Sequence, residues 1–210
     1  MNKLPEKTVE RLSEYRRTLY ELMELGKTHI FSHELARLHH ITAVQVRRDM
    51  MFLGYTSMGR RGYDIRELVK FIGKKIDSRS VINVAVVGMG NYGKAISAYF
   101  QGKRPTLEIV AAFDSDPDKK GATIAGIPCH GIEQLEDVIK EKNITIAILT
   151  VPPQVAQKVA QDLTEAGIKG ILNFTSVQLK VDENVYLEGY DMITSLEKVA
   201  YYVKESYSRK

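Results

Sequence analysis

Gly88-x-Gly90-x-x-Gly93 follows the apolar run Val84-Ala85-Val86-Val87, and Asp114 stands about 20 residues further on. A glycine triplet alone is a weak signal. Here it sits in the order a dinucleotide-binding unit needs: strand, glycine turn, helix, second strand, acidic residue. The glycines permit a tight turn, close approach of backbone to a pyrophosphate, and close packing of helix on strand. The N-terminus of the following helix then faces the phosphates. Placement constrains the chain further. Roughly eighty of its 210 residues precede the triplet, which leaves room for one nucleotide domain and little else. A dinucleotide site without a substrate domain points to a chain that reads a cofactor rather than consuming one.

Residues 81–87 read as the first strand, 91–100 as the helix and 107–113 as the second strand. Asp114 at its end can accept hydrogen bonds from both ribose hydroxyls of an adenosine and would repel a 2′-phosphate, so NAD is expected over NADP. The run Asp114-Ser115-Asp116-Pro117-Asp118 is also turn-forming, the competing role for that aspartate. Strands at 127–129, 144–151 and 170–174 alternate with helices at 133–142 and 154–166, the pattern of a Rossmann doubly wound parallel sheet. Ligands of such sheets lie beyond the carboxyl ends of the strands. The expected cofactor residues are therefore Gly88, Met89, Gly90, Asn91, Tyr92, Gly93 and Asp114, with Thr150, Val151, Pro152, Asn173 and Phe174 at the later strand ends. A capping box, Thr194-x-x-Glu197, opens a last helix. Its apolar stripe, Leu196, Val199, Ala200 and Val203, covers the domain's own sheet edge or docks on a partner subunit.

Charge is uneven along the chain. Residues 1–80 hold 16 Lys/Arg against 10 Asp/Glu, and 81–210 hold 14 against 16. A basic module joined to a mildly acidic one suits a polyanion partner for the first, although a solvated charged surface has the same composition. A helix is predicted from Thr8 to Leu25, with Leu12, Tyr15, Leu19 and Leu22 on one face. A short one follows, capped by Ser32, then a turn at His39-His40-Ile41. The third opens with the capping box Thr42-x-x-Gln45 and buries Ala43, Val46, Met50 and Leu53. Thr42, Gln45, Arg47 and Arg48 are left on its free side. Arg can pair with guanine O6 and N7, and Gln with adenine N6 and N7. A helix-turn-helix fits this order, and so does a bundle with a charged face. The glycine-flanked turn with Arg60 and Arg61 suits a wing, and residues 64–72 read as a fourth helix. Residues 1–76 are thus expected as a winged helix, 77–80 as a linker, 81–190 as the nucleotide domain and 191–210 as the C-terminal helix.

Cys129 is the only cysteine, which excludes an intrachain disulfide and a cysteine-based zinc cluster. The four N-terminal histidines lack metal-ligand spacing, so no metal is expected. No run approaches the ~20 apolar residues of a membrane span, and a reducing cytoplasm is the expected setting. An oxidoreductase would need an acid or base near the nicotinamide. The second half offers one histidine, His130, and beside it Cys129, neither with a readable partner. A small NAD-dependent oxidoreductase with a helical arm remains the alternative, and a nucleotide-binding adaptor a third.

Several segments together resemble the Rex family of redox-sensing transcriptional repressors. Residues 42–49, Thr-Ala-Val-Gln-Val-Arg-Arg-Asp, are similar to that family's recognition helix, and Val87-Gly-Met-Gly90 with Gly93 to its cofactor turn. Ala147-Ile-Leu-Thr-Val-Pro152 and Gly167-Ile-Lys-Gly-Ile-Leu-Asn-Phe174 are similar to its later strands, and the likeness runs from about residue 5 to 205. The resemblance implies a homodimeric repressor, not an enzyme. It would hold an inverted-repeat, double-stranded operator when NAD⁺ predominates and leave it when NADH binds. It also implies a domain-swapped C-terminal helix, a redox relay of Arg17, Tyr99 and Asp191, and a cofactor contact at Met192. The wing, Ser57-Met-Gly-Arg-Arg-Gly-Tyr63, departs from the family's Gly-Lys-Arg-Gly-Val-Gly-Tyr form, its basic residues shifted by about two places, and Met192 replaces a common aromatic.

Overall fold

The computed structural model describes residues 3–56 and 61–207. They fall into two compact units, 1–78 and 79–210.

The first unit runs α1 (Glu6–Glu24), β1 (His29–Ile30), α2 (Ser32–Leu38), α3 (Ala43–Leu53), β2 (Tyr63–Asp64) and α4 (Ile65–Ile76). Leu12, Tyr15 and Leu19 repeat at helical spacing along α1 and meet Leu35 of α2, Val46 and Met50 of α3, and Leu68 and Ile72 of α4 in one core. β1 and β2 pair antiparallel, His29 opposite Asp64 and Ile30 opposite Tyr63. Gly62 closes this ribbon at φ +83, where an added Cβ would stand 2.6 Å from the Ile30 carbonyl oxygen, so glycine is required. Two details differ from expectation. Phe31, not Ser32, occupies the N-cap of α2, and its N–H donates to Glu34 Oε2 at 2.8 Å. Helix α4 continues past its expected end at 72 through Gly73-Lys74-Lys75 to Ile76, because Ile72 and Ile76 still pack on the core and the lysines suit the negative C-terminal end of the helix.

The second unit runs β3 (Ile82–Val87), α5 (Asn91–Phe100), β4 (Leu107–Asp114), β5 (Thr123–Ile124), β6 (Ile127–Gly131), α6 (Leu135–Glu141), β7 (Ile144–Leu149), α7 (Pro153–Glu165), β8 (Gly170–Asn173), β9 (Tyr186–Gly189) and α8 (Met192–Tyr207). The strand order is β5-β6-β4-β3-β7-β8-β9. Pairing is parallel except in the β5–β6 hairpin. Without the hairpin strand β5, the order is third, second, first, fourth, fifth, sixth, and its direction reverses between β3 and β7. A ligand crevice opens there, beyond the strand ends. Both faces are covered. Ala85, Val87, Phe113, Ala147 and Leu149 pack against α6 and α7, while Val84, Val86, Ala112 and Ile148 pack with Ile96 of α5. Burial on both faces is why these strands read as continuous apolar runs.

Helix α8 starts two residues before the expected box. Asp191 caps it: Ile193 N–H donates to Oδ1 at 2.9 Å and the Thr194 hydroxyl to Oδ2 at 2.7 Å. Thr194 and Glu197 lie inside the helix instead. Among the described residues no helix is long and apolar enough to cross a membrane, and no group of three His, Cys, Asp or Glu side chains could hold a metal.

Candidate functional site

The three glycines of the turn occupy three different environments. Gly88 has φ +97, and a Cβ there would come within 2.8 Å of the Thr150 backbone. Gly93 lies in the first turn of α5, and its Cβ would overlap the Gly88 carbonyl oxygen. Gly90, the N-cap of α5, faces open space. The first two let the turn and helix close on the strand, and the third leaves the backbone bare toward a ligand. The first i→i−4 bond of α5 is Lys94 N–H to Gly90 O at 3.0 Å, so the earlier N–H groups have no acceptor within the helix. Such groups at a helix N-terminus suit a pyrophosphate. Thr150 fastens the turn, its hydroxyl donating to Gly88 O at 2.7 Å.

Asp114 is held from three sides. Met89 N–H donates to Oδ2 at 2.7 Å, Lys119 Nζ to Oδ2 at 3.0 Å and Asp116 N–H to Oδ1 at 2.9 Å. Burial pushes the carboxyl up, but the Asp116 N–H, the Lys119 ammonium and the Met89 N–H together hold it below its ordinary value. The carboxylate is therefore charged. Its Oδ2 is already saturated, so Oδ1 can serve one ribose hydroxyl rather than the pair expected from the sequence. Sequence pattern does not mark Lys119, because a lysine in a polar turn carries no pattern of its own.

A second cleft, about 270 Å³, lies at the ends of β7 and β8. Tyr92, Thr150, Val151, Pro153, Phe174, Tyr190, Asp191 and Met192 help to line it. Phe174 packs against Tyr92 and Tyr190, each at 5.5 Å between ring centroids. The Tyr92 hydroxyl donates to the Met192 sulfur at 3.2 Å. Flat apolar walls with one carboxylate fit a nicotinamide ring.

Three expected contacts have other work. Asn173 is buried, donating to Val177 O and accepting from the Thr175 N–H and hydroxyl, so its amide organises the loop. The Met89 side chain lies in the core. Pro152 caps α7, and its neighbour Pro153 lines the cleft instead. Asn91 is exposed at the first position of α5. Of the expected relay, Asp191 caps α8, Tyr99 is exposed beneath the Lys103 ammonium at 4.3 Å, and Arg17 is exposed on α1.

In the first unit, Thr42 caps α3 by accepting from Gln45 N–H at 3.1 Å. The box is only half made, because the Gln45 side chain donates to Asp49 Oδ1 at 3.0 Å instead of returning to Thr42. Thr42, Arg47 and Arg48 are exposed, with Arg47 Nη1 reaching the Ser32 hydroxyl at 3.3 Å. Arg61 is exposed beside the ribbon, and Arg60 lies outside the described residues. Asp49, on the inner side of α3, is completely buried. It accepts a two-pronged pair from Arg11 at 2.7 Å each and a bond from the Tyr15 hydroxyl at 2.9 Å. Burial first, then the bond to Asp49, pushes the Tyr15 hydroxyl well above its ordinary pKa.

Residues 80–177 match the family described as CoA binding domain, and 3–50 the one described as Putative DNA-binding protein N-terminus. The redox-sensing transcriptional repressor Rex of Anoxybacillus flavithermus is 38% identical over 202 residues, 96% of this chain and 95% of that one. The repressor of the same name from Leuconostoc citreum is 38% identical over 203 residues, 96% and 93% of the two chains. This chain belongs to the Rex family. Among solved structures, the Rex-family repressor RSP in complex with β-NAD⁺ and operator DNA has a TM-score of 0.89 and 32% identity, covering 99% of this chain and 95% of that one. RSP in complex with β-NADH has a TM-score of 0.87 and 31% identity, covering 99% and 97%. The Rex pattern therefore extends over both units, as the likeness from residue 5 to 205 implied.

Proposed function

We propose that this chain is a redox-sensing transcriptional repressor that holds operator DNA through α3 and the wing and releases it when NADH replaces NAD⁺ in the second unit. The observation that carries the reading is the pairing, on one chain, of a Thr42–Gln45–Arg48 helix face, its Thr42 and Arg48 exposed and Gln45 half-buried, with a glycine turn and an aromatic cleft. Gly90 and the α5 N-terminus would hold the pyrophosphate, Asp114 a ribose hydroxyl, and the Tyr92–Phe174 cleft the nicotinamide. The oxidised ring is positive and the reduced ring neutral. A carboxylate in the cleft, Asp191, favours the first by Coulomb attraction and is free for other partners with the second. Arg17 and Tyr99 are assigned as those partners. Within one chain Tyr99 sits near the C-terminal end of α5, roughly 13 Å along the axis from Gly90, so this relay calls for rearrangement or a second copy.

The second copy has a physical basis. Ile193, Leu196, Val199 and Tyr202 recur along α8, and all four are exposed, Leu196 by 69%. A stripe of this kind needs a cover, and a symmetric operator needs two recognition helices. We assign α8 as the element that crosses to the partner of a homodimer. Leu196→Asp with Val199→Asp is expected to shift the chain to monomer in light scattering and to weaken operator binding at least tenfold. A double variant that remains dimeric places the interface elsewhere.

The functional test is fluorescence anisotropy of an AT-rich inverted-repeat duplex titrated with each cofactor. NADH should release the duplex and NAD⁺ should not. Equal release by both, or by neither, rules out redox sensing.

Lys119 sets how strictly NADP is refused. Its ammonium offsets the Asp114 charge that would repel a 2′-phosphate. Lys119→Met should weaken NADPH binding more than NADH binding, widening their ratio about fivefold, on the order of 1 kcal/mol. Parallel fluorescence titrations measure that ratio, and an unchanged value removes Lys119 from cofactor selection.

A further inference from the structure

Asp49 has four donors on two oxygens: Arg11 Nη2 and Gln45 Nε2 on Oδ1, Arg11 Nε and the Tyr15 hydroxyl on Oδ2. Every lone-pair site is therefore taken. Arg11 and Tyr15 come from α1 and Gln45 from α3, so the buried carboxylate joins the two helices and one surface side chain. A carboxylate accepts and never donates, so the Gln45 carboxamide must turn its NH₂ end toward Asp49. A surface glutamine ordinarily rotates and flips. This one is tied at one end.

We propose that Asp49 is a positioning residue for base recognition, fixing the polarity of the Gln45 carboxamide so that α3 selects adenine over guanine at one position of each half-site. The proposal rests on α3 as the reading helix. With one N–H committed to Asp49, Gln45 keeps one N–H and its carbonyl oxygen for the groove. Adenine presents the complement, an acceptor at N7 and a donor at N6, whereas guanine presents two acceptors, N7 and O6. A free amide could give both its N–H groups to guanine; the tied one cannot.

The full-length chain is tested on a duplex pool randomised across the half-site, with base preference read at every position. The wild type should prefer adenine over guanine at one position, by roughly five- to a hundredfold. Gln45→Met should flatten that position. Asp49→Asn, whose amide can face Gln45 with either its oxygen or its nitrogen, should flatten the same position to within about threefold and leave the positions read by other side chains. A purely structural role would weaken all positions alike. Asp49→Asn protein that keeps the adenine preference while Gln45→Met loses it overturns the clamp. Gln45→Met protein with its preference intact overturns Gln45 as a reader, and the clamp with it. ¹⁵N relaxation of the Gln45 side-chain amide in the wild type needs neither DNA nor a variant. The clamp requires an order parameter near the rigid-backbone value of about 0.85, and one below about 0.6 refutes it even if Asp49→Asn fails to fold or no duplex is enriched.

Discussion

Asp49→Ala is expected to destabilise the first unit strongly and cost it operator binding while the second still binds NADH. The substitution leaves the Arg11 guanidinium, the Tyr15 hydroxyl and the Gln45 amide without their shared acceptor. Removing one partner of a buried charge pair costs about 3–5 kcal/mol; the lower end applies here, because the Arg11 side chain left behind keeps 21% exposure while the buried Tyr15 hydroxyl loses its acceptor. That is a large part of the 5–15 kcal/mol that stabilises an ordinary domain. Calorimetry should show a first transition lowered by ten degrees or more (about 4–8 °C per kcal/mol for a unit of this size). Operator binding should be lost, and NADH fluorescence titration should stay within about twofold of wild type. Loss of both activities together would mean that the two units do not fold independently.

Gly93→Val is expected to have the reverse pattern. A Cβ at position 93 would overlap the Gly88 carbonyl oxygen and lie 3.0 Å from the Thr150 hydroxyl. The first obstacle is backbone, in a turn already at φ +97 and stitched to β7 by Thr150, so it cannot swing aside as a side-chain tip would. Helix α5 must back away from β3, carrying its N-terminal N–H groups with it. Overpacking of this kind costs about 1–3 kcal/mol in stability. Displacing the phosphate-facing amides should weaken NADH by at least tenfold, about 1.4 kcal/mol. DNA should then remain bound at NADH concentrations that release the wild type. A valine variant with NADH affinity within threefold of wild type would show that the turn relaxes after all.

Regular elements were legible wherever burial imposed a period. Helix α5 matches its expected bounds, 91–100, because the glycines announce its start and the chain turns after Phe100. The buried strands β3, β4 and β7 read as apolar runs for the same reason. β1, β5 and β9 were not legible. Two of them have only two residues, and β9, with one half-buried residue among exposed ones, carries no period. Caps were anticipated in kind and misplaced in detail. Thr194 looks like a capping residue, yet Asp191 three positions earlier holds the helix, since Asp and Thr compete for the same N–H groups and local order alone does not rank them.

Asn173 and Met89 show the same limit at the site. Both stand where a cofactor could touch them, and both turn inward. Gln45 shows it in the other direction, because its inward bond to Asp49 aims its outward face.

The amino-acid sequence by itself determined the order of elements, the glycine turn, the charge asymmetry and the kinship that joins them, since all of these are local or periodic. Tertiary structure alone decided which oxygen of Asp114 is free, that Lys119 stands beside it, that Asp191 caps α8, and that Asp49 ties Gln45 to α1. Those are contacts between residues 5, 3, 2 and 4 apart on the one hand and 25 to 38 apart on the other. Hydrogen-bond valence at a shared carboxylate is settled only when every competing donor has been brought to it, and folding does that.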